Sequence, residues 1–293
     1  MRGALTKLEV LVAIALCLAA LGFGAMFLAR HRENSQRVAC INNLRVIGQA
    51  IHAYHEASAG DEKNRFLPPA RIADGYATWA VLIAPHMIKE HPLHQWDKQR
   101  SYFAQTDEVR QAALYAYFCP SRRRPIAISE AGDVENDKLF PGALGDYGII
   151  AGDGSIMPDW LGDKANGAIV SAVNIKRKDD RIVSWESVTG LNSLVRGTQY
   201  TLLVSERHVP SYGFGDASQG DGSLYNGANP GSFARVAGPG FPIAASMDSP
   251  FNKNFGSYHN GICNFLMADT SFRSMTHETS EAVLGQLARR GDD

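Results

Sequence analysis

The sequence predicts an α+β protein in which one long N-terminal helix packs on a mostly antiparallel β-sheet head with long glycine-rich loops. The first indication is an uncharged, proline-free run at residues 10–29, which continues without a turn into an amphipathic stripe at helical spacing. The second is a later region in which short β-like runs alternate with turn residues. Residues 213–256 are rich in glycine, serine, asparagine and proline, which favours long loops there.

Composition limits the classes of protein that the chain can belong to. Of its 293 residues, 45% are hydrophobic and 20% are charged, which is ordinary for a globular protein and excludes disorder of the whole chain. The formal net charge of −1 provides no basic field, so we expect no nucleic-acid partner.

The apolar run predicts a membrane-spanning helix at residues 5–29. At 1.5 Å per residue, its 20 uncharged residues span about 30 Å, the thickness of the hydrocarbon core of a bilayer. A cleaved secretory signal is the alternative, but its apolar region is shorter and ends in small residues. Here the run ends in Arg30, His31 and Arg32. We therefore expect a single-pass protein of the cytoplasmic (inner) membrane with its head outside the cytoplasm.

The helix is predicted to continue as an amphipathic segment at residues 30–58. Apolar residues recur there at steps of three and four, and Ala59-Gly60-Asp61 ends the pattern. A single helix over residues 5–58 would be about 80 Å long, with at most a kink at Gly22 and Gly24. Arg45 and Gln49 should face away from the head. The apolar stripe consists of Val38, Ile41, Leu44, Ile47, Ile51 and Tyr54, of which the last five are expected to be buried.

A globular head is predicted at residues 59–293. A final helix is expected near residues 280–290, where apolar residues are followed by Arg289, Arg290 and Gly291. The β-like runs are residues 79–83, 113–119, 147–150, 168–175, 200–205, 262–267 and 271–275.

The first nine residues place a carboxylate, Glu9, at the start of the apolar run after a leader of residues 1–4. This resembles the N-terminus of type IV prepilins and secretion pseudopilins of the G type, although Ala4 stands where that family usually has glycine and Lys7 is unusual. The resemblance implies cleavage by a prepilin peptidase between Ala4 and Leu5, N-methylation of Leu5, and assembly through Glu9. A carboxylate favoured by the helix dipole is the alternative explanation of Glu9.

A second resemblance covers nearly the whole chain. It rests on Cys40-Ile-Asn-Asn-Leu-Arg, Phe118-Cys119-Pro120-Ser121, Thr201-Leu-Leu-Val-Ser-Glu206 and Gly256-Ser-Tyr-His259. These segments are similar to a large planctomycete-type family of prepilin-like proteins with a head of unknown function. Its C-terminal signature is a histidine, nine residues and Asp-Gly. Here the signature residues are His259 and Asp269, with Thr270 in place of glycine.

The signature also has a structural interpretation. Asp-Gly between two strands forms a two-residue hairpin turn, but a β-branched threonine disfavours the positive φ of that turn. We therefore expect a longer or different turn at Asp269-Thr270, and His259 bonded to a neighbouring loop.

Three cysteines outside the apolar run are disulfide candidates, because disulfides persist in exported proteins. Cys40–Cys119 is the preferred pair, since it would join the helix stripe to the head, while Cys40–Cys263 and Cys119–Cys263 remain open. The spacings include no Cys-x-x-Cys, so they do not predict a zinc site.

No cofactor is expected, with calcium as the one weak candidate. Asp216, Ser218 and Asp221 could supply oxygen ligands, but their spacing does not match the helix–loop–helix calcium loop. The run Arg122–Arg124 is interpreted as a solvated loop.

The sequence thus favours a structural, non-enzymatic protein: a subunit of a type IV pilus-like or pseudopilus filament at the surface or in the periplasm. Its partners would be copies of itself or other pilin-like subunits, the prepilin peptidase and the inner membrane. The first alternative is a single-span anchored protein that binds a partner and does not polymerise. The second is an exported hydrolase centred on His259 and Asp269.

Overall fold

The computed structural model describes residues 6–58, 65–123 and 127–291, so the predicted leader 1–4 and Leu5 lie outside the described residues. The long helix α1 covers Lys7–Ala57 without interruption, which confirms the predicted single helix within the described part of the chain. The short helices are α2 (Trp79–Ile83), α3 (Asp107–Arg110) and α4 (Glu281–Ala288), the last of which confirms the predicted C-terminal helix.

The strands of the head form a five-stranded sheet and two separate hairpins. The sheet has the order β7-β3-β6-β8-β9 and is antiparallel except for the β3–β7 pair. The hairpins are β1–β2 and β4–β5. The bounds are β1 Val134–Glu135, β2 Lys138–Leu139, β3 Tyr147–Ile150, β4 Val173–Lys178, β5 Arg181–Glu186, β6 Leu202–Glu206, β7 Ala234–Arg235, β8 Cys263–Met267 and β9 Phe272–Met275.

Helix α1 has two halves with different surroundings. Its N-terminal half is exposed on all sides, including Leu8, Leu16, Phe23 and Leu28. Its C-terminal half packs on α2 and on β8. The approach to β8 is close, because a Cβ atom at Gly48 would lie 3.0 Å from Cδ2 of Leu266. The α+β head on a protruding helix confirms the predicted fold class.

The buried stripe of α1 is rotated slightly from the predicted one. Leu44, Ile47 and Ile51 are fully buried, as expected. Cys40 takes the next buried position, while Ile41 and Tyr54 are only partly buried and Val38 is exposed. Steps of four, three and four residues from Cys40 to Ile51 keep one side of the helix against the head. Arg45 and Gln49 are exposed, as expected.

Two of the predicted strands are wrong. Trp79–Ile83 forms α2, whose five residues are all buried, and a short, wholly apolar run has no periodicity that distinguishes a strand from a helix. Residues 113–119 contain a 3₁₀ turn at Tyr115–Tyr117 instead of a strand. The predicted run 168–175 becomes a strand only from Val173. Three of the other runs contain β3, β8 and β9, and the run 200–205 overlaps β6, which extends to Glu206.

The glycine-rich segment 213–256 is built mainly of loops, as expected, but much of it is buried. It includes 3₁₀ turns at Ala217–Gln219 and Pro230–Ser232 and contributes the short strand β7. The segment therefore belongs to the core of the head, because its strand β7 pairs with β3 and forms one edge of the sheet.

The β8–β9 connection is longer than a two-residue turn, as Thr270 led us to expect. The backbone N–H of Met267 donates to the carbonyl of Ser271 at 2.9 Å, so three residues form the loop. Thr270 nevertheless has a φ of 68°. The exposed Asp269 carboxylate accepts hydrogen bonds from the N–H of Ser271 at 2.9 Å and from its Oγ at 2.6 Å. These bonds hold the turn in place.

Candidate functional site

Four segments of the chain bring polar side chains together where α1 meets the head. Helix α1 supplies Cys40, the turn after Tyr115–Tyr117 supplies Cys119, the end of β6 supplies Glu206, and the loop before β8 supplies His259. All four residues are buried, and their sulfur, oxygen and nitrogen atoms lie within 4.8 Å of one another. We call these four residues the helix–head cluster.

The cluster is compact. The Sγ atoms of Cys40 and Cys119 are 2.8 Å apart and are not bonded to each other in this structure. Cys119 Sγ lies 3.6 Å from Oε1 of Glu206 and 3.8 Å from Nε2 of His259. The same Nε2 atom is 3.2 Å from Oε1 of Glu206. The four donor atoms therefore converge on one point. They are two sulfurs, one carboxylate oxygen and one imidazole nitrogen.

A second layer of hydrogen bonds fixes the cluster. His259 directs its other ring nitrogen, Nδ1, to Oε1 of Glu33 on α1 at 2.7 Å. The second oxygen of Glu206 accepts from the backbone N–H of Asn264 at 2.9 Å and from its Nδ2 at 3.1 Å. Oδ1 of Asn264 in turn accepts from Oγ of Ser274 at 2.8 Å. Each side chain therefore has a defined orientation.

The protonation states follow from these contacts. Burial alone would lower the pKa of His259, but hydrogen bonds to Cys119 and Glu206 and the charge of Glu206 raise that pKa to about 11. Burial alone would raise the pKa of Glu206, but its contacts with His259 and Asn264 keep that pKa below the usual value. The hydrogen bond with Cys40 and burial raise the pKa of the Cys119 thiol. Without a bound ion, the cluster thus holds an imidazolium–carboxylate pair beside the neutral Cys119 thiol.

Four arginine side chains are buried in the head, and we call Arg122, Arg123, Arg207 and Arg235 the buried arginine group. Arg122 and Arg123 both bond to Asp146, at 3.1 and 2.7 Å. Asp221 accepts bonds from Arg123 at 2.7 Å and from Arg207 at 2.9 Å.

Arg235 differs from the other three arginines. Within the described part of the chain its acceptors are carbonyl groups, including those of Asn254 at 3.1 Å and His208 at 2.9 Å. Burial lowers the pKa of Arg235. The expectation of a solvated arginine run is therefore wrong for Arg122 and Arg123, because Asp146 and Asp221 draw both guanidiniums into the head. Arg124 lies outside the described residues.

The structure separates the two signature residues of the sequence. His259 belongs to the helix–head cluster, where it bonds to Oγ of Ser121 at 3.2 Å as well as to Glu33. This agrees with the expected bonding to a neighbouring loop. Asp269 is exposed and bonds to Ser271 in the β8–β9 turn.

Of the cysteines, Cys40 and Cys119 are in contact, whereas Cys263 lies against Oγ of Ser205 at 3.4 Å and the carbonyl of Glu206 at 3.5 Å. Cys17 is exposed on the apolar half of α1. The geometry thus brings the preferred disulfide pair together, and the bond itself stays a prediction.

The calcium candidates form local contacts instead of a cation site. Oδ1 of Asp216 accepts from the N–H of Ser218 at 2.8 Å. Asp221 is occupied by Arg123 and Arg207, whose positive charges oppose a divalent cation at its carboxylate.

Glu9 caps its own helix. One of its carboxylate oxygens accepts from the backbone N–H of Thr6 at 2.7 Å and from the Thr6 hydroxyl at 2.9 Å, while Thr6 Oγ1 accepts from the N–H of Glu9. This reciprocal arrangement is a capping box, in which Glu9 has a helix-start role in the isolated subunit. Ala4 and Leu5, the predicted cleavage site, lie outside the described residues.

Sequence reasoning missed Glu206 and Glu33 as members of this site. Glu206 ends a strand in which all five residues are buried. A carboxylate at the end of an apolar run is a usable signal, because a buried charge requires a partner. Glu33 gave no comparable signal, since it follows Arg32 on a polar stretch of the helix.

The fold and the site together define a protein with an α+β head on a protruding apolar helix, joined by a buried polar cluster. Within the described residues, α1 is the one helix long and apolar enough to cross a membrane. The chain belongs to the family described as Protein of unknown function (DUF1559), whose sequence model matches residues 29–281. No curated protein and no solved structure matches the chain.

Proposed function

We propose that the protein is a structural subunit of a type IV pilus-like or pseudopilus filament. Its N-terminal helix inserts into the cytoplasmic membrane with the head outside the cytoplasm, and filament assembly then transfers that helix from lipid to a bundle of helices. In this role the protein carries out no reaction, and its partners are copies of itself or other pilin-like subunits.

The exposed apolar half of α1 is the observation that carries this proposal. Leu8, Leu21 and Phe23 are each at least 70% exposed, and they lie on different sides of the helix. A surface that is apolar all round requires lipid or other apolar helices around it. Gly22 and Gly24 have no neighbours within 4 Å of a Cβ position, which leaves room for the close approach of a second helix.

The continuity of α1 supports assembly over simple anchoring. The apolar half and the half that packs on the head belong to one uninterrupted helix, Lys7–Ala57. The head and the apolar segment therefore move as one unit. In a filament, packing of the heads would then also position the apolar helices. A flexible linker between the two halves would uncouple them.

Glu9 supplies the proposed assembly contact. In a dry bundle of apolar helices its carboxylate must meet a cation or take up a proton. Cleavage between Ala4 and Leu5 by a prepilin peptidase would create a new α-amino group on each subunit. That group on a neighbouring subunit is the proposed partner of Glu9, and it would replace the internal contact with Thr6.

N-terminal mass spectrometry of protein from its own membranes tests the processing step. We expect a mature chain that begins at N-methylated Leu5. An intact Met1 in assembled filaments would contradict the proposal. A mature chain that begins after residue 29 would identify a cleaved signal and leave no anchor.

A second candidate function is that of a single-span anchored binding protein that does not polymerise. It is favoured by an open cleft of about 470 Å³ on the head, between residues 243–248 and 257–262 and next to His277. Abundant membrane protein without filaments would favour this candidate.

A further inference from the structure

We infer that the helix–head cluster binds one zinc ion, held by Cys40, Cys119, Glu206 and His259, and that this ion joins α1 to the head. The inference does not depend on filament assembly, since it concerns contacts within one subunit. The four residues are distant in sequence, so the spacing of the cysteines alone could not indicate the site.

The donor atoms suit zinc in type and number. Zinc in structural sites takes four ligands from thiolate sulfur, imidazole nitrogen and carboxylate oxygen in a tetrahedral arrangement. The cluster offers two sulfurs, one nitrogen and one oxygen, all buried. Such a set disfavours calcium and magnesium, which take oxygen ligands.

The distances between the donors match a tetrahedron at three of the four measured edges. With ordinary zinc bond lengths, the sulfur–oxygen, sulfur–nitrogen and nitrogen–oxygen edges should be about 3.6, 3.6 and 3.4 Å. The corresponding edges are 3.6 Å from Cys119 to Glu206, 3.8 Å from Cys119 to His259, and 3.2 Å from His259 to Glu206. The sulfur–sulfur edge is 2.8 Å. Binding would separate the two sulfurs by about 1 Å, to about 3.7 Å.

The outer hydrogen bonds are those of a metal centre. A histidine that binds zinc through one nitrogen usually donates its other N–H to a carboxylate, which fixes the ring and increases its basicity. His259 presents Nε2 to the cluster and Nδ1 to Glu33 at 2.7 Å. Glu206 presents Oε1 to the cluster, while Asn264 holds its Oε2.

Metal binding also sets the protonation of the ligands. Both sulfurs must be thiolates and the coordinating imidazole nitrogen must be deprotonated, so zinc binding releases protons. The two thiolate charges then match the two positive charges of the zinc ion.

A Cys40–Cys119 disulfide is the competing state of the same residues. It would consume both sulfurs and leave Glu206 and His259 as an ion pair without a metal. Zinc uses all four side chains and their outer partners, whereas the disulfide requires only two of them. The two states exclude each other, so one experiment distinguishes them.

The test uses the full chain purified from membranes in detergent without added metal or oxidant. We expect close to one zinc ion per chain by elemental mass spectrometry, with Cys40 and Cys119 as thiols after zinc removal. Cobalt(II) in place of zinc should produce a thiolate-to-cobalt charge-transfer band. A zinc content near background overturns the inference, whether the two cysteines are then reduced or joined in a disulfide. Cobalt binding without that band also overturns it.

Variants identify the ligands. Cys119→Ser and His259→Ala should lose the zinc, whereas Cys263→Ser should retain it, because Cys263 is equally buried but lies outside the cluster. Zinc retained in both ligand variants would show an adventitious ion only and overturn the inference.

Glu33→Gln changes an outer carboxylate and keeps all four ligands. It therefore tests the site with a variant in which zinc loss does not follow from a missing ligand. Loss of this outer carboxylate should weaken zinc binding by roughly 10–100-fold. Unchanged zinc affinity in Glu33→Gln would contradict the assigned arrangement, in which Glu33 orients His259.

Discussion

Nδ1 of His259 lies 2.7 Å from Oε1 of Glu33, a contact between residues that are 226 positions apart in the sequence. Glu33 lies on α1 just beyond the apolar run, and His259 lies in the loop that leads into β8. The contact therefore helps to hold the head at this position along α1. The exposed apolar part of α1 lies on the N-terminal side of this contact.

Loss of the Glu33 carboxylate should loosen this attachment even in metal-free protein. His259 is buried, whereas the Glu33 side chain is 35% exposed, so solvent weakens the pair. We expect Glu33→Gln to lower the free energy of unfolding by about 1 kcal/mol, measured by urea denaturation of the chelator-treated chain in detergent. Glu56→Gln, an exposed carboxylate on the same helix, should change it by no more than about 0.5 kcal/mol. Equal effects of the two substitutions would argue against a special role for Glu33.

The buried stripe of α1 should determine how firmly the helix is held by the head. Ile47 is fully buried, while the adjacent Val46 is 38% exposed. Ile47→Ala should therefore cost about 2–4 kcal/mol through lost burial and a cavity. Val46→Ala provides the control on the neighbouring face and should cost less than about 1 kcal/mol. Urea unfolding of both variants measures the difference, and an Ile47→Ala cost as small as that of Val46→Ala would contradict the observed packing.

Asp221 should make the head sensitive to acid. Burial opposes its ionisation, but the charges of Arg123 and Arg207 lower its pKa from 3.8 to about 2. A carboxyl group with a lowered folded pKa contributes stability above the unfolded pKa and loses it as the pH falls through the folded value. We expect about 2 kcal/mol of stability from this group to disappear between about pH 4 and pH 2.

Asp221→Asn tests this acid dependence. The variant should be less stable at neutral pH, because Arg123 and Arg207 lose a buried carboxylate partner. Its stability should also fall less steeply than that of the natural protein between about pH 4 and pH 2. The exposed Asp248→Asn should keep the original slope. Parallel pH profiles for the natural protein and Asp221→Asn would contradict this role of Asp221.

The parts of the fold that follow a local rule were predictable from the sequence. The uncharged span and the stripe at steps of three and four predicted α1, because both features report a single periodic element. The longer β8–β9 loop was predicted because Thr270 replaces glycine, but Thr270 itself adopts the positive φ that a β-branched residue disfavours. By contrast, Trp79–Ile83 is apolar at every position, so its helical form depends on the surrounding core, which periodicity does not report.

The helix–head cluster was only partly predictable. Cys40, Cys119 and His259 were singled out, but 79 residues separate the two cysteines, and 87 residues separate Cys119 from Glu206. Metal-site patterns depend on short spacings, and here the fold supplies the proximity instead. The burial of Arg122 and Arg123 was missed for a similar reason, because Asp146 and Asp221 approach them only in the folded head.

Filament yield of a Glu9→Ala variant tests the proposed assembly most directly. Without the carboxylate, a neighbouring α-amino group has no partner, so filaments should be strongly reduced while the membrane fraction contains a normal amount of folded protein. Glu56→Ala serves as the control, since Glu56 is exposed on the same helix outside the apolar run, and it should leave filament yield unchanged. A strong loss of filaments in Glu9→Ala alone is the predicted result. Normal filaments from Glu9→Ala would contradict the proposed contact and favour a protein that is anchored by its helix without polymerising.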